Sequence, residues 1–503
     1  MRDHAEPIAT ANIQPVWRSH SLRFVKNHSL LWEGPMPLQT EHDPRLKRSL
    51  KTRHLTMISL GGVIGAGLFV GSSAIINSAG PGAFITYAIT GVLVMLIMRM
   101  LGEMASARPT TGSFTDYSRM ALGNWAGFST GWMYWYFWVI VVGFEAVVGG
   151  QIINGWFPIV PVWAISLALM VVMTVVNLLS VGSFGEAEYW FAGIKVVAIV
   201  VFLAIAGMYI SGFWPDSKAS FSNLTAHGGF FPNGIATLFS GVVVVIFSMT
   251  GVEVATIAAA ESAEPVHNVR RAVNTVMFRI MTFFVLSVFL IAVIQPWNTV
   301  VPGKSPFVTT LDTIGIPGSG TMLTGIILVA VLSVLNAGLY TSSRLLFVLS
   351  SNGEAPRWIA QVNRRGVPVR GVLASTVVGY VCVVIAALWP DTVFQFLINS
   401  SGAVILFVYL MICVSQIRLR RYWEQEGLLK FRMWGHPWLP LLVTGALAAV
   451  LISMAVDPST RASLLQSLFA VAVILAAFGV LRFVRSGSLR GAHVPAGERK
   501  LVS

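Results

Sequence analysis

Long apolar runs, separated by short polar or basic segments, dominate the chain from about residue 54 to residue 484. A run of about 20 apolar residues is long enough to cross a bilayer as a helix. Twelve such runs predict an all-α integral membrane protein with twelve transmembrane helices. We call them spans 1 to 12, near residues 54–77, 82–104, 123–150, 159–181, 188–212, 234–260, 273–295, 319–350, 372–389, 392–416, 438–456 and 463–484.

Span 1 departs from the composition of an ordinary span in the stretch Leu60–Gly71. Five of its residues are glycine: Gly61, Gly62, Gly65, Gly67 and Gly71. Each glycine costs a helix about 1 kcal/mol relative to alanine. Gly61 with Gly65, and Gly67 with Gly71, have the small-xxx-small spacing of a helix-packing face. The two pairs fall on different sides of a helix, whereas a packing face needs only one side. We therefore favour an interrupted helix over a packing face. Bare backbone at membrane depth is tolerated only where it lines a cavity, so the stretch predicts a binding site.

Composition and charge support a membrane protein. Hydrophobic residues make up 55% of the 503 residues and charged residues only 11%, whereas soluble domains carry about 25% charged residues. The basic residues that give the net charge of +13 are distributed unevenly between the loops on the two sides of the membrane. With the N-terminus in the cytoplasm, the outer loops hold few basic residues, as the positive-inside rule requires: Lys218, Lys304 and Arg461. Both termini are thus expected in the cytoplasm, and the charge does not indicate nucleic-acid binding.

The segments outside the twelve spans are predicted to be tails. Residues 1–52 show no secretory signal pattern, and are expected to be a disordered tail, or a surface helix on the bilayer. A start at Met36 would leave a shorter tail. The predicted organisation is a cytoplasmic tail at 1–52, a core at 53–416, two further spans at 417–484 and a second tail at 485–503. The two cysteines lie in apolar runs and imply no disulfide framework.

Several motifs along the spans resemble those of one family. They are Ala79–Pro109 with Gly102-Glu103, Pro109–Tyr117, the aromatic run Gly131–Trp138, Phe247–Glu253, Ile257–Pro265 and Leu335–Arg344. Together they are similar to bacterial amino acid permeases of the amino acid–polyamine–organocation superfamily, over about residues 45–485. Within that family, Ala258–Ser262, His267–Arg271 and Leu397–Ala403 most resemble γ-aminobutyrate permeases.

The resemblance implies a LeuT-type fold. Spans 1–5 and 6–10 (about 54–212 and 234–416) would form two inverted repeats, with spans 1 and 6 broken and spans 11 and 12 peripheral. The sequence supports this at one further point, because Ser248–Gly251 in span 6 is a weak helical stretch at the position paired with the span 1 glycines. Interrupted spans in matching halves indicate the binding site of a transporter.

A broken helix offers complements for both charged groups of an amino acid. Freed N–H groups at a half-helix N-terminus suit a carboxylate, and freed carbonyls at a C-terminus suit an ammonium. We assign the carboxylate to the backbone of Ile64, Gly65, Ala66 and Gly67, and the ammonium to carbonyls around Phe247, Ser248 and Thr250. Phe247 matches the aromatic that closes over substrate in the family; the alternative is an ordinary core residue.

Lys195 is the most informative ionisable residue. It lies about eight residues inside span 5, roughly 12 Å deep, where a lysine costs about 3 kcal/mol. Burial disfavours the charged form, so this amine would load and release a proton; snorkelling to the inner surface is the alternative. The resemblance implies that a lysine at this place stands where sodium-coupled relatives hold a cation. The hypothesis is a proton symporter.

Other polar residues are weaker candidates. Glu103 matches the family signature and is expected to order a cytoplasmic gate through a basic partner. Glu145 and Glu253 would contact the substrate or the proton path, or else form pairs between spans. Asn336 is expected to line the pathway or to join helices.

The pair Glu186 and Glu188 is expected in a solvated cytoplasmic loop rather than in the protein interior.

Other function classes lack their motifs. All nine histidines lie outside the spans or at an edge (His54), and no histidine–carboxylate pair or zinc motif occurs, so we expect no enzyme, cofactor, metal or haem. Gly303-Lys-Ser305 resembles the end of a phosphate-binding loop, but position 298 is Asn rather than Gly. The spans lack the rings of charged residues that are typical of a channel. A non-transporting sensor of the same fold stays a remote alternative.

The expected function is secondary active, proton-coupled import of γ-aminobutyrate or a related small zwitterionic amino acid across a bacterial inner membrane. Permeases for aromatic, aliphatic or cationic amino acids and an amino acid exchanger are the alternatives. The expected partners are the amino acid, protons and the lipid bilayer. The sequence leaves the oligomeric state open.

Overall fold

The computed structural model describes residues 64–110, 112–179, 181–214, 220–254, 265–363 and 366–491, together with Met57. Within these ranges every regular element is a helix. The predicted N-terminal tail, the start of span 1 up to Val63, the family motif at 257–264 and the last twelve residues lie outside them.

The first five spans follow one another with short connections. Their helices are Ala66–Phe69 and Ser72–Ala79 (span 1), Ala83–Ala107 (span 2), Asn124–Trp156 (span 3), Val162–Leu179 (span 4) and Val181–Ile210 (span 5). A short helix, Phe114–Leu122, precedes span 3.

The next five spans follow in the second half of the chain. Their helices are Thr237–Ser240 and Val242–Met249 (span 6), Pro265–Arg279 and Leu286–Ile294 joined by the π-helix Ile280–Val285 (span 7), Ser319–Ser351 (span 8), Val369–Leu388 (span 9) and Pro390–Gln425 (span 10). Spans 11 and 12 are Trp438–Val456 and Pro458–Gly491. A helix at Pro306–Ile314 connects spans 7 and 8.

The described helices account for all twelve predicted spans. Ten helical runs in the described ranges are long and apolar enough to cross a membrane, the first of which joins the second part of span 1 to span 2. Thr237–Met249 of span 6 is a shorter apolar helix. Span 10 continues to Gln425 rather than ending near 416. The prediction ended the span where the apolar run meets its first arginines, whereas the helix continues beyond them.

Span 3 forms the centre of the molecule and span 12 its periphery. In the most apolar part of span 3, 78% of the residues are buried inside the protein, against 11% in span 12. Span 3 packs against spans 4, 8, 9 and 10. Exposed apolar side chains on the outer spans suit a surrounding bilayer, where lipid replaces protein as the apolar neighbour. The central position of span 3 places its side chains next to the two broken spans.

Candidate functional site

The continuously described part of span 1 begins outside a helix, at Ile64 and Gly65. The backbone of Gly65 is extended, with φ −143° and ψ −159°, and the first helical residue after it is Ala66. The N–H groups of Leu68 and Phe69 both donate to the Gly65 carbonyl at 3.2 Å. Ile64, which precedes the break, is non-helical and buried. The half-helix therefore begins within the glycine-rich stretch that the sequence marked.

Span 6 is interrupted at Thr250 and Gly251. The helix ends at Met249, Thr250 is extended with ψ 147°, and Gly251 has φ +104°. A positive φ of this size favours glycine, which has no Cβ to clash with the backbone. Ser248 is still helical, so the break lies at the end of the predicted stretch rather than along all of it.

The two breaks are in direct contact. The Ser248 hydroxyl donates to the Gly67 carbonyl at 2.7 Å. A Cβ added to Gly67 would lie 2.8 Å from the Ser248 Cα, closer than a Cβ comes to a non-bonded heavy atom in proteins. Gly67 is therefore required for this approach of span 1 to span 6, apart from any effect on helix propensity.

A cavity of about 20 Å³, room for about one water molecule, lies between the broken spans and spans 3 and 8. Its lining residues are Gly65, Gly67, Phe137, Trp138, Val141, Glu145, Phe247, Ser248, Thr250 and Val334. Of the backbone predicted to bind the substrate, Ile64 and Ala66 are buried beside this cavity but are not among its lining residues.

Four lining residues were missed by the sequence analysis: Phe137, Trp138, Val141 and Val334. Phe137 and Trp138 belong to the aromatic run at 131–138. This run indicated the family, but it did not indicate which of its side chains face the cavity. Since span 3 is buried on nearly all sides, it shows no apolar stripe from which the cavity face could be read.

Glu145 already places a carboxylate at the N-terminal end of the half-helix. Its Oε1 accepts a hydrogen bond from the Ala66 N–H at 3.3 Å, and the residue is 2% exposed. Its Oε2 has no hydrogen-bond partner among the described residues. The Ala66 N–H, which is predicted to bind the substrate carboxylate, therefore donates to a carboxylate of the protein itself in this structure.

The aromatic wall of the cavity is built around Phe247. Its ring packs edge-on against Phe144, with ring centroids 5.0 Å apart, and against Phe137 at 6.1 Å. Phe247 therefore both lines the cavity and belongs to the apolar core, so the two interpretations of this residue are compatible.

Glu253 joins three spans immediately after the break in span 6. Its Oε1 accepts from the Tyr134 hydroxyl at 2.8 Å and its Oε2 from the Tyr409 hydroxyl at 3.2 Å. The Gly251 N–H donates to both oxygens, at 3.1 and 3.0 Å. Glu253 is buried and is not among the cavity-lining residues. Its carboxylate holds spans 3, 6 and 10 together beside the cavity.

Lys195 is buried and paired, so it does not snorkel to a surface. Its Nζ donates to the Ser333 hydroxyl at 2.9 Å and lies 3.6 Å from Glu188 Oε1. Lys195, Ser333 and Glu188 are each 0% exposed. The expectation that Glu186 and Glu188 lie in a solvated loop is wrong, because both lie in the helix Val181–Ile210, where Glu186 is half-buried and Glu188 is buried. The helix of span 5 starts at Val181, seven residues earlier than predicted, and this carries Glu188 into the interior.

Glu103 and Asn336 contact other spans rather than the cavity. Glu103, 0% exposed, pairs with Arg420 Nη1 and accepts from Gln416 Nε2 at 2.7 Å and from the Met433 N–H at 2.5 Å. The basic partner expected for Glu103 is thus Arg420. Asn336 Oδ1 accepts from Asn177 Nδ2 at 2.7 Å, which joins spans 4 and 8.

The amino acid permease family model matches residues 54–487. The chain belongs to the amino acid permease family. This permease is 49% identical to the γ-aminobutyric acid permease of Bacillus subtilis, over 87% of this chain and 94% of the relative. It is 43% identical to the γ-aminobutyric acid permease of Escherichia coli, over 87% and 94%. It is 40% identical to the aromatic amino acid transport protein AroP of Corynebacterium glutamicum, over 90% and 98%.

A solved structure shares the fold of this permease. The manganese transporter of Eremococcus coleocola (mutant H236A) aligns with a TM-score of 0.51 at 15% identity, over 86% of this chain and 93% of that one. At this identity the likeness concerns the fold alone, and it confirms the predicted all-α transporter fold of the LeuT type. The family and its named relatives are transport proteins rather than enzymes, which confirms the predicted function class.

Within the described part of the permease, no group of three or more His, Cys, Asp or Glu side chains is placed to hold a metal ion.

Proposed function

We propose that this permease imports γ-aminobutyrate, or a closely related small zwitterionic amino acid, together with protons. The hydrogen bond from the Ala66 N–H to the Glu145 carboxylate carries the binding part of the proposal. The substrate preference is supported by relatives named as γ-aminobutyric acid permeases at 43 to 49% identity over most of the chain.

The substrate carboxylate takes the place that Glu145 occupies at the half-helix N-terminus. A helix N-terminus favours an anion through its unpaired N–H groups and its dipole, and the Ala66 and Gly67 N–H groups are the first donors of this half-helix. Glu145 must release Ala66 when the substrate arrives. Its carboxylate is then free to pair with the substrate ammonium.

The substrate ammonium lies toward the end of the span 6 helix. The carbonyls there carry the negative end of the helix dipole. Those of Phe247 and Ile246 already accept the Thr250 N–H at 3.3 Å and the Thr250 hydroxyl at 2.9 Å. Thr250 therefore competes with the ammonium for these carbonyls, and it rotates away as the substrate binds.

The aromatic rings around the cavity favour a small substrate. At about 20 Å³ the cavity holds no amino acid, so binding requires the surrounding side chains to move. Aromatic rings of Phe137, Trp138 and Phe247 occupy much of its wall. A short aliphatic amino acid needs less displacement of these rings than an aromatic one. The 40% identity to an aromatic amino acid transport protein keeps that substrate class as the second candidate.

Proton coupling is placed at Lys195. A buried amine exchanges its proton readily because burial disfavours the ammonium form, and Lys195 is fully buried. Ser333, its hydrogen-bond partner, directly precedes the cavity-lining Val334 in span 8. A change in the charge of Lys195 therefore alters a hydrogen bond to the residue next to the cavity wall.

Two clusters close the path beside the cavity and at the inner ends of the spans. The first is Glu253 with Tyr134 and Tyr409; the second is Glu103 with Arg420. Both join span 10 to the first repeat or to span 6, so span 10 has to separate from them when the path opens. We place the permease in a bacterial cytoplasmic membrane, with both termini in the cytoplasm and the domain boundaries predicted from the sequence.

Uptake into proteoliposomes tests the function. A labelled panel of γ-aminobutyrate, β-alanine, and aromatic, aliphatic and cationic amino acids is presented with an imposed inward proton gradient, with and without a protonophore. We expect concentrative uptake of γ-aminobutyrate that the protonophore abolishes. If γ-aminobutyrate neither enters nor competes, the substrate assignment is wrong; if the protonophore has no effect, the coupling is wrong.

A further inference from the structure

A buried chain of hydrogen bonds joins spans 5 and 8. Lys195 Nζ donates to Ser333 Oγ at 2.9 Å, and Ser333 Oγ donates to Glu188 Oε1 at 2.6 Å. Both distances are those of ordinary hydrogen bonds. The hydroxyl therefore accepts from the amine and donates to the carboxylate, so the donors all point in one direction.

The helix of span 5 explains why these groups meet. Glu188 and Lys195 are seven residues apart, about two helical turns, and so share a face. Long side chains in a helix lean toward its N-terminus, so the amine of Lys195 reaches back toward Glu188. The N-terminal end of span 5 is the end predicted to face the cytoplasm. The chain of hydrogen bonds thus runs from Lys195 toward that side.

The geometry does not suit a permanent ion pair. A buried ion pair is stable only with excellent geometry and with its remaining oxygens and protons satisfied. Here Nζ and Oε1 are 3.6 Å apart with the hydroxyl between them. The second carboxylate oxygen, Oε2, has no hydrogen-bond partner in the described part of the chain. A pair that becomes neutral when one proton moves fits these observations better.

We propose that Glu188 accepts the coupling proton from Lys195 through Ser333; this rests on the coupling role proposed for Lys195. The Nζ–H bond breaks and its electron pair stays on nitrogen, which leaves a neutral amine. The proton bonds to Ser333 Oγ while the original Ser333 O–H bond breaks, and that hydrogen bonds to Glu188 Oε1. The products are a neutral amine, an unchanged hydroxyl and a neutral carboxylic acid.

The relay solves an electrostatic problem of the site. If Lys195 lost its proton directly to the cavity, Glu188 would be left as a buried, unpaired anion, which is strongly unfavourable. Transfer within the pair removes both charges together while the pair is closed off from water. Glu188, nearer the N-terminal end of span 5, then releases the proton when the path opens on that side, where water solvates the carboxylate that is left. We call Glu188 the proton acceptor and Ser333 the relay.

Ser333 provides the cleaner test, because its substitution leaves both ionisable groups in place. We compare Ser333→Ala, which removes the hydroxyl, with Ser333→Thr, which keeps it. Vesicles containing a trapped pH-sensitive dye report proton entry when γ-aminobutyrate is added outside. A positioned proton-transfer group contributes about 10²- to 10⁴-fold to a rate. We therefore expect Ser333→Ala to lose at least about tenfold in substrate-coupled proton entry, and Ser333→Thr to stay close to the wild-type rate.

Glu188→Gln provides the second test. Glutamine keeps an oxygen that accepts from the Ser333 hydroxyl but cannot take up the proton. We expect the same loss of coupled proton entry, with Glu188→Asp restoring part of it. Coupled proton entry in Glu188→Gln at the wild-type rate, or equal rates for Ser333→Ala and Ser333→Thr, would overturn the relay.

Lys195→Ala, measured in parallel, separates the two proposals. If it keeps substrate-coupled proton entry, coupling at Lys195 is wrong and the relay falls with it. If Lys195→Ala loses coupling while Glu188→Gln retains it, the coupling site stands and only the relay is wrong.

Discussion

Replacing Gly67 by alanine is the sharpest perturbation of the predicted binding site. The added Cβ would lie 2.8 Å from the Cα of Ser248, and ordinary contact begins at 3.4 Å, so the two backbones must separate by about 0.6 Å. Because the obstructing atom is backbone, no side-chain rotation relieves the clash. Both broken spans line the cavity and touch each other at Gly67 and Ser248, so the added Cβ has to push them apart.

The expected loss follows from the cost of overpacking. Extra methyl groups in a packed interior cost about 1–3 kcal/mol, which corresponds to a 5- to 150-fold change in an equilibrium constant. We expect the half-saturating concentration of γ-aminobutyrate for Gly67→Ala to rise within that range. The assay is uptake of labelled γ-aminobutyrate into proteoliposomes over a range of external concentrations.

Gly207→Ala is the matched control. Gly207 lies within the helix Val181–Ile210, and a Cβ added there meets no atom within 4 Å. Alanine is also the better helix former, so this variant should transport as the wild type does. If Gly67→Ala and Gly207→Ala have the same half-saturating concentration, the close approach of the two spans at Gly67 does not shape the binding site and the argument is refuted.

Three further predictions concern residues around the path. Arg420→Met leaves a buried carboxylate without its cation, which costs about 3–5 kcal/mol. It should lower the unfolding temperature and the yield of folded protein, whereas the exposed Arg421→Met should change neither. Tyr409→Phe removes one hydrogen bond to Glu253, worth about 1 kcal/mol. Efflux of labelled substrate from preloaded vesicles should rise about fivefold; unchanged efflux would exclude a gating role. Burial, and then Arg420, hold the pKa of His436 below its usual range. Protonation thus favours the unfolded state, stability should fall as pH drops through about 6.5, and His436→Gln should show a shallower loss in the same thermal scan.

Most of the fold could be predicted from the sequence because membrane helices have a strong signal. Inside a bilayer the backbone N–H and C=O groups must form hydrogen bonds within the protein, so an apolar run that is long enough to cross the bilayer is expected to be a helix. The break in span 1 could be predicted for a related reason, since five glycines in one short stretch disfavour a continuous helix. The end of span 10 could not, because one of its arginines, Arg420, is buried and paired with Glu103 from span 2.

The site was predicted less completely than the fold. The glycines, Phe247 and Glu145 carry a local signal, but Val141 and Val334 are ordinary apolar residues whose role depends on which side of a buried helix they occupy. Glu188 was placed in a loop because charged residues usually mark the end of a span. Its burial depends on Lys195 and Ser333, and Ser333 lies 145 residues away in the sequence. Such pairing over long sequence separations is not visible to a window of neighbouring residues.

The proposed function depends on binding of the substrate carboxylate at the half-helix of span 1 that begins at Ala66. A structure of the permease with γ-aminobutyrate bound would show where this carboxylate lies. We expect it within hydrogen-bond distance of the Ala66 and Gly67 N–H groups, with Glu145 no longer accepting from Ala66. A substrate carboxylate held elsewhere, with the hydrogen bond between Ala66 and Glu145 intact, would contradict it.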